Sequence, residues 1–413
     1  MEAFLIKGGR VVDPANRLDG LRDVRIEAGR IAEVGEHLTP REGEHVIDAT
    51  AAIVAPGFID MHVHLREPGY PQKETLATGT EAAVRGGFTS VACMPNTNPA
   101  LDSPATIEWL RKHSARQAHC RVYPIAAMTL GRQGVAPCDY EALARAGAVA
   151  FSDDGDTIAD AAVAFDAAQR ARGVSGVFIS HCEEPAFPSD SGRPPIAEDL
   201  AVARDLVIAQ ATQKNWHVAH LSTRRALELV KAARRSGVRV TCEVTPHHLT
   251  FTDADARELG PAARVNPPLR AEEDCAALRE GLRDGTIDVF ASDHAPHTHE
   301  EKSGERGSVA PGFSGLEIAV GAYAQALPDL PISRFVELLS TNAARILGVS
   351  GGTLAPGAIA DVTIFAQRNW IVDPATFASK GRSTPFAGRR LPRKVVGTIV
   401  GGALRYCAPE MVA

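Results

Sequence analysis

The sequence predicts an α/β protein, a (β/α)8 TIM barrel with a small β-sandwich domain formed by the N- and C-terminal segments. Three observations predict it. Eight short apolar runs alternate with amphipathic helical sequence between residues 57 and 354. Strand-like segments bounded by Gly, Asp or Pro fill residues 1–56 and return in 355–413. A chain of 413 residues that is 45% hydrophobic is long and apolar enough for one large domain and a smaller one.

The smaller domain is predicted from short strands at both ends of the chain. The N-terminal set is FLIKGGRVVD, DVRIEAGRIAEVG and HVIDATAAIVAPG. The C-terminal set is DVTIF at 361–365 and KVVGTIVGGALRYC at 394–407. Neither set alone has enough strands to bury one face of a sheet, so the two sets are expected to fold together.

The barrel is predicted from eight strands separated by helical sequence such as EDLAVARDLVIAQAT and TRRALELVKAARRSG. In such a barrel the chemistry lies where the strands end and the following loops begin. Polar residues at the strand ends are therefore the candidates for function. The predicted strands are 57–64, 89–95, 121–127, 148–152, 176–181, 217–221, 239–245 and 288–293.

Composition and charge exclude several classes of partner. The 44 Lys and Arg against 50 Asp and Glu give a formal charge of −6 without a basic block, which argues against nucleic acid. No signal-like N-terminus and no run of about 18 apolar residues occurs, so no membrane partner is predicted and a cytoplasmic location is expected. The seven cysteines are scattered and never in CxxC spacing, which argues against a disulfide framework and a thiolate zinc site.

Imidazoles and carboxylates gather at the ends of five predicted strands. His62 and His64 alternate along one strand, so their side chains leave the same face about 6–7 Å apart. These are the ligand types that bind Zn²⁺ without thiolates, and their number suits two metals. The other strand ends supply Asp153, Asp154, His181, His220 and Asp293.

Each of these residues also has an ordinary explanation. A single His at a strand end is usually a surface or hydrogen-bonded residue, and DDG and SDH are common turn sequences. The coincidence of all five strand ends favours a metal site. His217 and His220 face opposite ways on their strand, and His220, nearer the mouth, is favoured as a ligand. His247 and His248 are expected to support the site or to pack beside it.

Eight segments of the chain resemble those of bacterial dihydroorotases, members of the amidohydrolase superfamily. The combination of HVHLREPG, MPNT and SDHAPH is the most specific part of this resemblance. The resemblance extends over nearly the whole chain. The segments are GFIDMHVHLREPG, CMPNTNPALD, AFSDDG, ISHCEE, EVTPHHL, ARVNPPLR, FASDHAPH and APGFSG.

The resemblance implies an enzyme with two zinc ions per subunit. The reaction would be the reversible cyclisation of N-carbamoyl-L-aspartate to L-dihydroorotate in pyrimidine synthesis. His62, His64 and Asp293 would hold one metal, while His181 and His220 would hold the other. Many relatives bridge the metals with a carboxylated lysine.

No lysine occurs in AVAFSDDG, so an aspartate is expected to supply the bridge. The spacing to ISHCE favours Asp154, with Asp153 as the alternative. A shorter bridge is expected to hold the second metal less firmly, so the second site is expected to be partly occupied.

The expected mechanism uses a metal-bound hydroxide. Zinc lowers the pKa of bound water toward ~7, and a second metal can polarise the carbonyl that is attacked. Asp293 is expected to take the proton of the hydroxide and to pass it to the departing amide nitrogen. The positive charge of the metals and Arg66 would attract an anionic substrate to a protein whose net charge is −6.

Substrate recognition is expected from polar groups around the metals. Arg66 can grip a carboxylate with two parallel N–H donors. The resemblance adds Asn96 and His297 to that carboxylate, and it places Asn266 and the backbone at Gly312 and Phe313 at the edges of the ring amide. The alternatives are a surface ion pair of Arg66 with Glu67 or Glu74, and a turn role for Asn96.

Two loops and several partners complete the sequence-based expectations. Residues 294–314 are polar and rich in Gly and Pro, as in a mobile lid, although a long solvated loop would have the same composition. The loop between His181 and His220 is shorter than in relatives. The small-molecule substrate is the expected partner, with a homodimer and a complex with aspartate transcarbamoylase as further candidates. The rival functions are a related cyclic amidohydrolase, allantoinase or hydantoinase, and an inactive scaffold subunit of that transcarbamoylase.

Overall fold

The N-terminal strands of the protein are arranged around one long strand. The computed structural model describes residues 2–188, 192–305 and 308–408. The first strand pairs antiparallel with the second, parallel with the fourth through its first half and parallel with the fifth through its second half. The change of partner follows an irregularity at Gly8, whose φ of +72° is costly for residues with a side chain. These strands are β1 (Ala3–Asp13), β2 (Leu18–Glu27), β3 (Arg30–Gly35), β4 (Glu44–Asp48) and β5 (Ala52–Pro56).

Eight parallel strands then form the barrel, and each predicted barrel strand is confirmed within a few residues. Each strand pairs with the next in sequence, and a bridge between Val63 and His294 joins the first strand to the end of the last. The first two strands are buried at every position, because in such a barrel both faces of the sheet are covered. The strands are β6 (Phe58–Val63), β7 (Phe88–Cys93), β8 (Arg121–Ala126), β9 (Ala150–Ser152), β10 (Val177–Ser180), β11 (Trp216–Val218), β12 (Val240–Val244) and β13 (Val289–Phe290).

Helices follow the barrel strands and cover them. The first helix begins with a side-chain cap, in which Thr78 N donates to Thr75 Oγ1 over 3.1 Å. A π-helical turn, Glu337–Thr341, joins the last two helices. Among the described residues, no helix combines the length and the apolar character needed to cross a membrane. The helices are α1 (Leu76–Arg85), α2 (Pro104–Gln117), α3 (Tyr140–Ala146), α4 (Ala161–Arg170), α5 (Pro195–Thr212), α6 (Arg224–Arg235), α7 (Pro246–Thr250), α8 (Asp253–Leu259), α9 (Glu272–Arg283), α10 (Ala319–Ala326), α11 (Ile332–Val336) and α12 (Asn342–Leu347).

The C-terminal strands return to the N-terminal ones. The first of them pairs antiparallel with β5, which places the two ends of the chain in one eight-stranded sheet that branches at β1. One hydrophobic cluster contains Phe4 and Val24 from the N-terminal strands and Val362 and Ile399 from the C-terminal ones. The C-terminal strands are β14 (Val362–Ala366), β15 (Trp370–Ile371), β16 (Arg390–Leu391), β17 (Lys394–Val400) and β18 (Ala403–Cys407).

Residues 370–391 leave this sheet and pack on the barrel. Val372, Phe377 and Phe386 share a buried cluster with Phe251 and Phe313 of the barrel loops. The short strands β15 and β16 pair only with each other. This excursion brings C-terminal residues to the side of the barrel mouth.

Candidate metal centre and substrate cavity

Asp154 lies at the centre of the predicted cluster, just after β9. His62 Nε2 is 3.3 Å from Asp154 Oδ1, and His64 Nε2 is 3.4 Å from Oδ2. His181 Nδ1 and His220 Nε2 lie 3.6 Å and 3.5 Å from Oδ1. All five residues are buried. Four imidazoles from three different barrel strands and loops thus converge on one carboxylate.

Asp293 joins this cluster from the loop after β13. Its Oδ1 is 3.2 Å from His64 Nε2 and 3.6 Å from His62 Nε2. Two groups of potential ligands result, and within each group the ligand atoms lie within 4.8 Å of one another. The groups are His62, Asp154 and His220, and His62, His64 and Asp293.

Unpartnered atoms indicate that this cluster suits a cation. His62 Nε2 and Asp154 Oδ1 are buried, and neither has a hydrogen-bond partner among the described residues. Buried polar atoms are normally hydrogen-bonded. Two unpartnered atoms that face each other therefore indicate a binding position for an ion that both atoms contact. His181 Nδ1 and His220 Nε2 similarly approach to 3.0 Å. A set of imidazole and carboxylate donors without thiolates fits Zn²⁺.

Both aspartates are held in the ionised form that a metal ligand needs. Burial alone would raise the pKa of Asp154, but the facing histidines, led by His62, hold this pKa well below its usual value. Burial also opposes ionisation of Asp293, and the contacts with His64 and His62 lower its pKa below the usual range. The cluster is therefore prepared for positive charge.

The two neighbouring aspartates of FSDDG point in different directions. Asp153 Oδ1 accepts the backbone N–H groups of Met128 and Thr129 at 2.8 and 3.1 Å, and Oδ2 accepts the Thr129 hydroxyl at 2.5 Å. Asp154 instead faces the histidines. The geometry therefore favours Asp154 over Asp153 as the central ligand, and it gives Asp153 a role in fastening the loop after β8.

Glu243, which the sequence analysis did not identify, lies in β12 and contacts the outer nitrogen of a histidine of the cluster. His62 Nδ1 lies 2.7 Å from Glu243 Oε1, and His217 Nε2 lies 3.1 Å from Oε2. The backbone N–H of His220 also donates to Oε1. Burial opposes the ionisation of Glu243, but these histidines lower its pKa to about 2. A glutamate in the otherwise apolar segment VTCEV was the available signal, because a charge in a barrel strand needs a buried partner.

Further supporting groups fix the other histidines. His64 Nδ1 is 2.8 Å from Asn96 Oδ1. His181 Nε2 is 3.1 Å from Glu183 Oε2, and Arg193 Nη1 lies 3.4 Å from the same oxygen. Such contacts to the outer nitrogen of a ligand histidine fix its tautomer and its orientation.

The backbone is strained at three of the predicted site residues. Arg66, His220 and Asp293 have φ values of +63°, +31° and +48°. Residues with a side chain rarely adopt positive φ, and such positions are concentrated at functional sites.

A cavity of about 180 Å³ opens onto the cluster. It contains nearly all of the predicted metal and substrate residues, and His62 lies completely buried at the cluster itself. The predicted residues that line it are His64, Arg66, Asn96, Asp154, His181, His220, Asn266, Asp293, His297 and Gly312.

Arg66 is a buried cation on the wall of this cavity. Its Nε donates to Pro296 O at 3.1 Å, and its Nη2 lies 3.2 Å from His297 Nε2. Burial lowers the pKa of this guanidinium, although nearby carboxylates oppose the shift. The predicted alternative partners are engaged elsewhere, because Glu67 accepts the N–H of Leu76 and Glu74 contacts His294.

Other predicted residues lie outside the cavity. The ring of Phe313 packs 5.0 Å from that of His247, and Phe313 does not line the cavity, whereas its neighbour Gly312 does. The ring nitrogens of His248 contact Thr245 and the carbonyl of Pro267. His247 is buried in this packing, and burial lowers its pKa to about 3.

The two predicted functional loops are described only in part. Ser189, Asp190 and Ser191 of the loop between His181 and His220, and Arg306 and Gly307 of the 294–314 segment, lie outside the described residues. Within the second segment, Lys302 is buried and its Nζ donates to Ala310 O at 2.9 Å.

The fold and the site define an amidohydrolase. The amidohydrolase family model matches residues 203–405, and a model described as dihydro-orotase-like matches residues 51–226. The solved structure of an L-hydantoinase (dihydropyrimidinase) from Arthrobacter aurescens has a TM-score of 0.89 at 24% identity, over 100% of this chain and 98% of that one. At this identity the likeness establishes the barrel with its additional β-domain.

Sequence relatives specify the family. A dihydroorotase from Pelotomaculum thermopropionicum is 46% identical over 97% of both chains. The dihydroorotase of Aquifex aeolicus is 40% identical over 98% of this chain and 100% of its own. The chain belongs to the dihydroorotase family, and it is an enzyme of the cyclic amidohydrolase type.

Proposed function

We propose that this site interconverts N-carbamoyl-L-aspartate and L-dihydroorotate in pyrimidine synthesis. The observation that carries the proposal is the position of Arg66. A buried guanidinium without a carboxylate partner among the described residues lines the same small cavity as the Asp154 and Asp293 cluster. A substrate that carries both a carboxylate and a cyclic amide could pair its carboxylate with Arg66 and place its amide at the cluster.

The cluster is proposed to hold two zinc ions per subunit. His62, His64 and Asp293 would bind one ion, His181 and His220 the other, and Asp154 would lie between the two. Zinc bound by these residues would lower the pKa of a bound water toward ~7 and would polarise a carbonyl oxygen. The unpartnered Nε2 of His62 and Oδ1 of Asp154 support this assignment.

Asp293 is proposed to move the proton. In ring opening, its carboxylate takes a proton from the attacking water and gives it to the amide nitrogen as the ring C–N bond breaks. In ring closure, the protonated carboxyl group assists the loss of water, as microscopic reversibility requires. The low pKa of Asp293 supports a base that begins ionised.

Arg66, Asn96 and His297 are proposed to bind the carboxylate that stays outside the reaction. Asn266 and the backbone at Gly312 and Phe313 would contact the ring amide. A ring without this carboxylate, as in a hydantoin, would leave Arg66 buried and unpaired, at a cost of a few kcal/mol. The site therefore favours dihydroorotate over the hydantoinase alternative.

Replacement of Asp293 tests this function. Asp293→Asn keeps the size of the side chain but removes the base, so turnover should fall by roughly 10³-fold or more in both directions. The measurement is the rate of dihydroorotate hydrolysis and of its synthesis, together with the metal content of the variant. Substantial activity in a variant that retains its metal would overturn the role of Asp293.

The associations of the enzyme form a further part of the proposal. The likeness to bacterial dihydroorotases supports a cytoplasmic enzyme, a homodimer and a complex with aspartate transcarbamoylase. Light scattering of the purified protein with and without that partner, combined with the hydrolysis assay, tests both associations and distinguishes an active enzyme from a scaffold.

A further inference from the structure

A second cavity lies beside the substrate cavity and is lined by basic side chains. Its volume is about 400 Å³, and His297 belongs to the walls of both cavities. We call it the basic chamber. No acidic residue is among the described residues that line it. Its basic residues are His297, His299, Lys302, Lys380 and Arg382.

Among the described residues, Lys302, Lys380 and Arg382 of the basic chamber have no carboxylate partner within ion-pair distance. Lys302 Nζ donates to the carbonyl of Ala310, and Lys380 Nζ donates to that of Pro71. Both partners are neutral. Arg382 likewise donates to backbone carbonyls. Three full positive charges therefore remain at the side of the mouth.

The nearest carboxylates in sequence do not cancel this charge. Glu300 and Glu301 do not line the chamber. Glu301 is engaged by Lys73 at 2.6 Å and by His297 at 3.2 Å. Burial and the charge of Arg264 lower the pKa of Lys302 to about 8, which leaves this lysine charged at neutral pH.

We propose that the basic chamber strengthens the binding of the open-chain substrate more than that of the ring, through charge alone. This inference rests on the proposed function. Carbamoyl aspartate carries two negative charges and dihydroorotate carries one. In a given electrostatic potential the dianion gains twice the energy of the monoanion, so its binding constant changes by the square of the factor for the monoanion.

The effect must appear in KM and not in the ratio of the two kcat/KM values. That ratio equals the equilibrium constant of the reaction, which no substitution can alter. Lys380→Gln should raise KM for dihydroorotate about twofold and KM for carbamoyl aspartate about fourfold at low ionic strength. At about 0.3 M salt both differences should nearly vanish, because the charges are screened.

The experiment compares KM in both directions across ionic strength for the wild-type enzyme and a set of variants. Arg382→Gln, at the other exposed cation of the chamber, should reproduce the pattern of Lys380→Gln, and Lys380→Arg, which keeps the charge, should retain the wild-type KM values. Lys112→Gln is the matched control, since Lys112 is an exposed lysine near the end of α2, on an outer helix. It should leave both KM values unchanged.

The outcomes separate this proposal from the proposed function. A wild-type enzyme that converts neither compound overturns the function. An active wild type, with a Lys380→Gln variant that changes both KM values by the same factor or changes neither, overturns the role of the basic chamber and leaves the function standing. Loss of activity in Lys380→Arg would likewise count against a charge effect.

Discussion

The two half-sites proposed for the metal cluster are supported differently. In the first half-site, formed by His62, His64 and Asp293, both outer histidine nitrogens have a partner: the buried Glu243 at 2.7 Å for His62 and the half-buried Asn96 at 2.8 Å for His64. In the second half-site, formed by His181 and His220, the outer nitrogen of His181 contacts Glu183 at 3.1 Å. His220 Nδ1 is buried without a hydrogen-bond partner in the described part of the chain.

This difference indicates that the two half-sites have different affinities for metal. A partner at the outer nitrogen orients a ligand histidine and raises its affinity for metal. His62 of the first half-site is oriented from the barrel interior, because Glu243 belongs to β12. The second depends on a loop glutamate and on Arg193, which follows the undescribed residues 189–191. We expect the metal of the first half-site to be bound more tightly.

The largest effect is expected where the two half-sites meet. Asp154→Ala removes the shared carboxylate, so it should release metal from both half-sites and lower turnover by about 10³-fold or more. Its neighbour is the control. Asp153→Ala should retain metal but lower the free energy of unfolding by about 2–4 kcal/mol, because three buried donors lose their acceptor. Metal analysis and urea unfolding measure the two results, and the reverse pattern would exchange the roles of the aspartates.

Two further substitutions should each weaken metal binding at one half-site only. Glu243→Gln removes the charge behind His62 and should weaken metal binding at the first half-site by about 10–100-fold. Glu183→Gln should act at the second half-site and leave the first intact. Competition with a chromophoric chelator, which resolves two metal dissociation steps, measures both constants. Equal weakening of both steps by each variant would show that the half-sites are not independent.

An effect of similar size concerns substrate binding and not metal binding. Arg66→Lys keeps the charge but loses the parallel N–H donors, so KM should rise by about 10–100-fold while both metal dissociation constants stay unchanged. Steady-state kinetics at saturating zinc tests this. An unchanged KM would return Arg66 to a structural role and would leave the substrate carboxylate without its assigned partner.

The barrel and the central residues could be predicted because they are local features of the sequence. Each barrel strand is an apolar run between turn residues, and a ligand at a strand end needs only its position on that strand to be found. His62, His64 and Asp293 were proposed as ligands in this way, and the structure brings them together. Sequence alternation also separated His217 from His220, and in the structure His217 contacts Glu243 while His220 faces Asp154.

The missed features depend on contacts between distant parts of the chain. Glu243 acts through His62, which is far away in sequence, so no local pattern identifies its partner. Residues 370–391 gave no strand signal, because β15 and β16 have two residues each, and the segment between them is held by Phe377 and Phe386, which are buried against barrel loops. Asp153 and Asp154 are adjacent and chemically identical, and only the fold distinguishes their surroundings.

The pairing of β5 with β14 has a consequence for biosynthesis. A ribosome releases β5 long before β14 is made, since the whole barrel is encoded between them. Until translation ends, the edge of β5 has no strand to cover it, and uncovered edges invite aggregation. Slowing late elongation, or deleting codons from β14 onward, should therefore drive newly made chains into inclusion bodies.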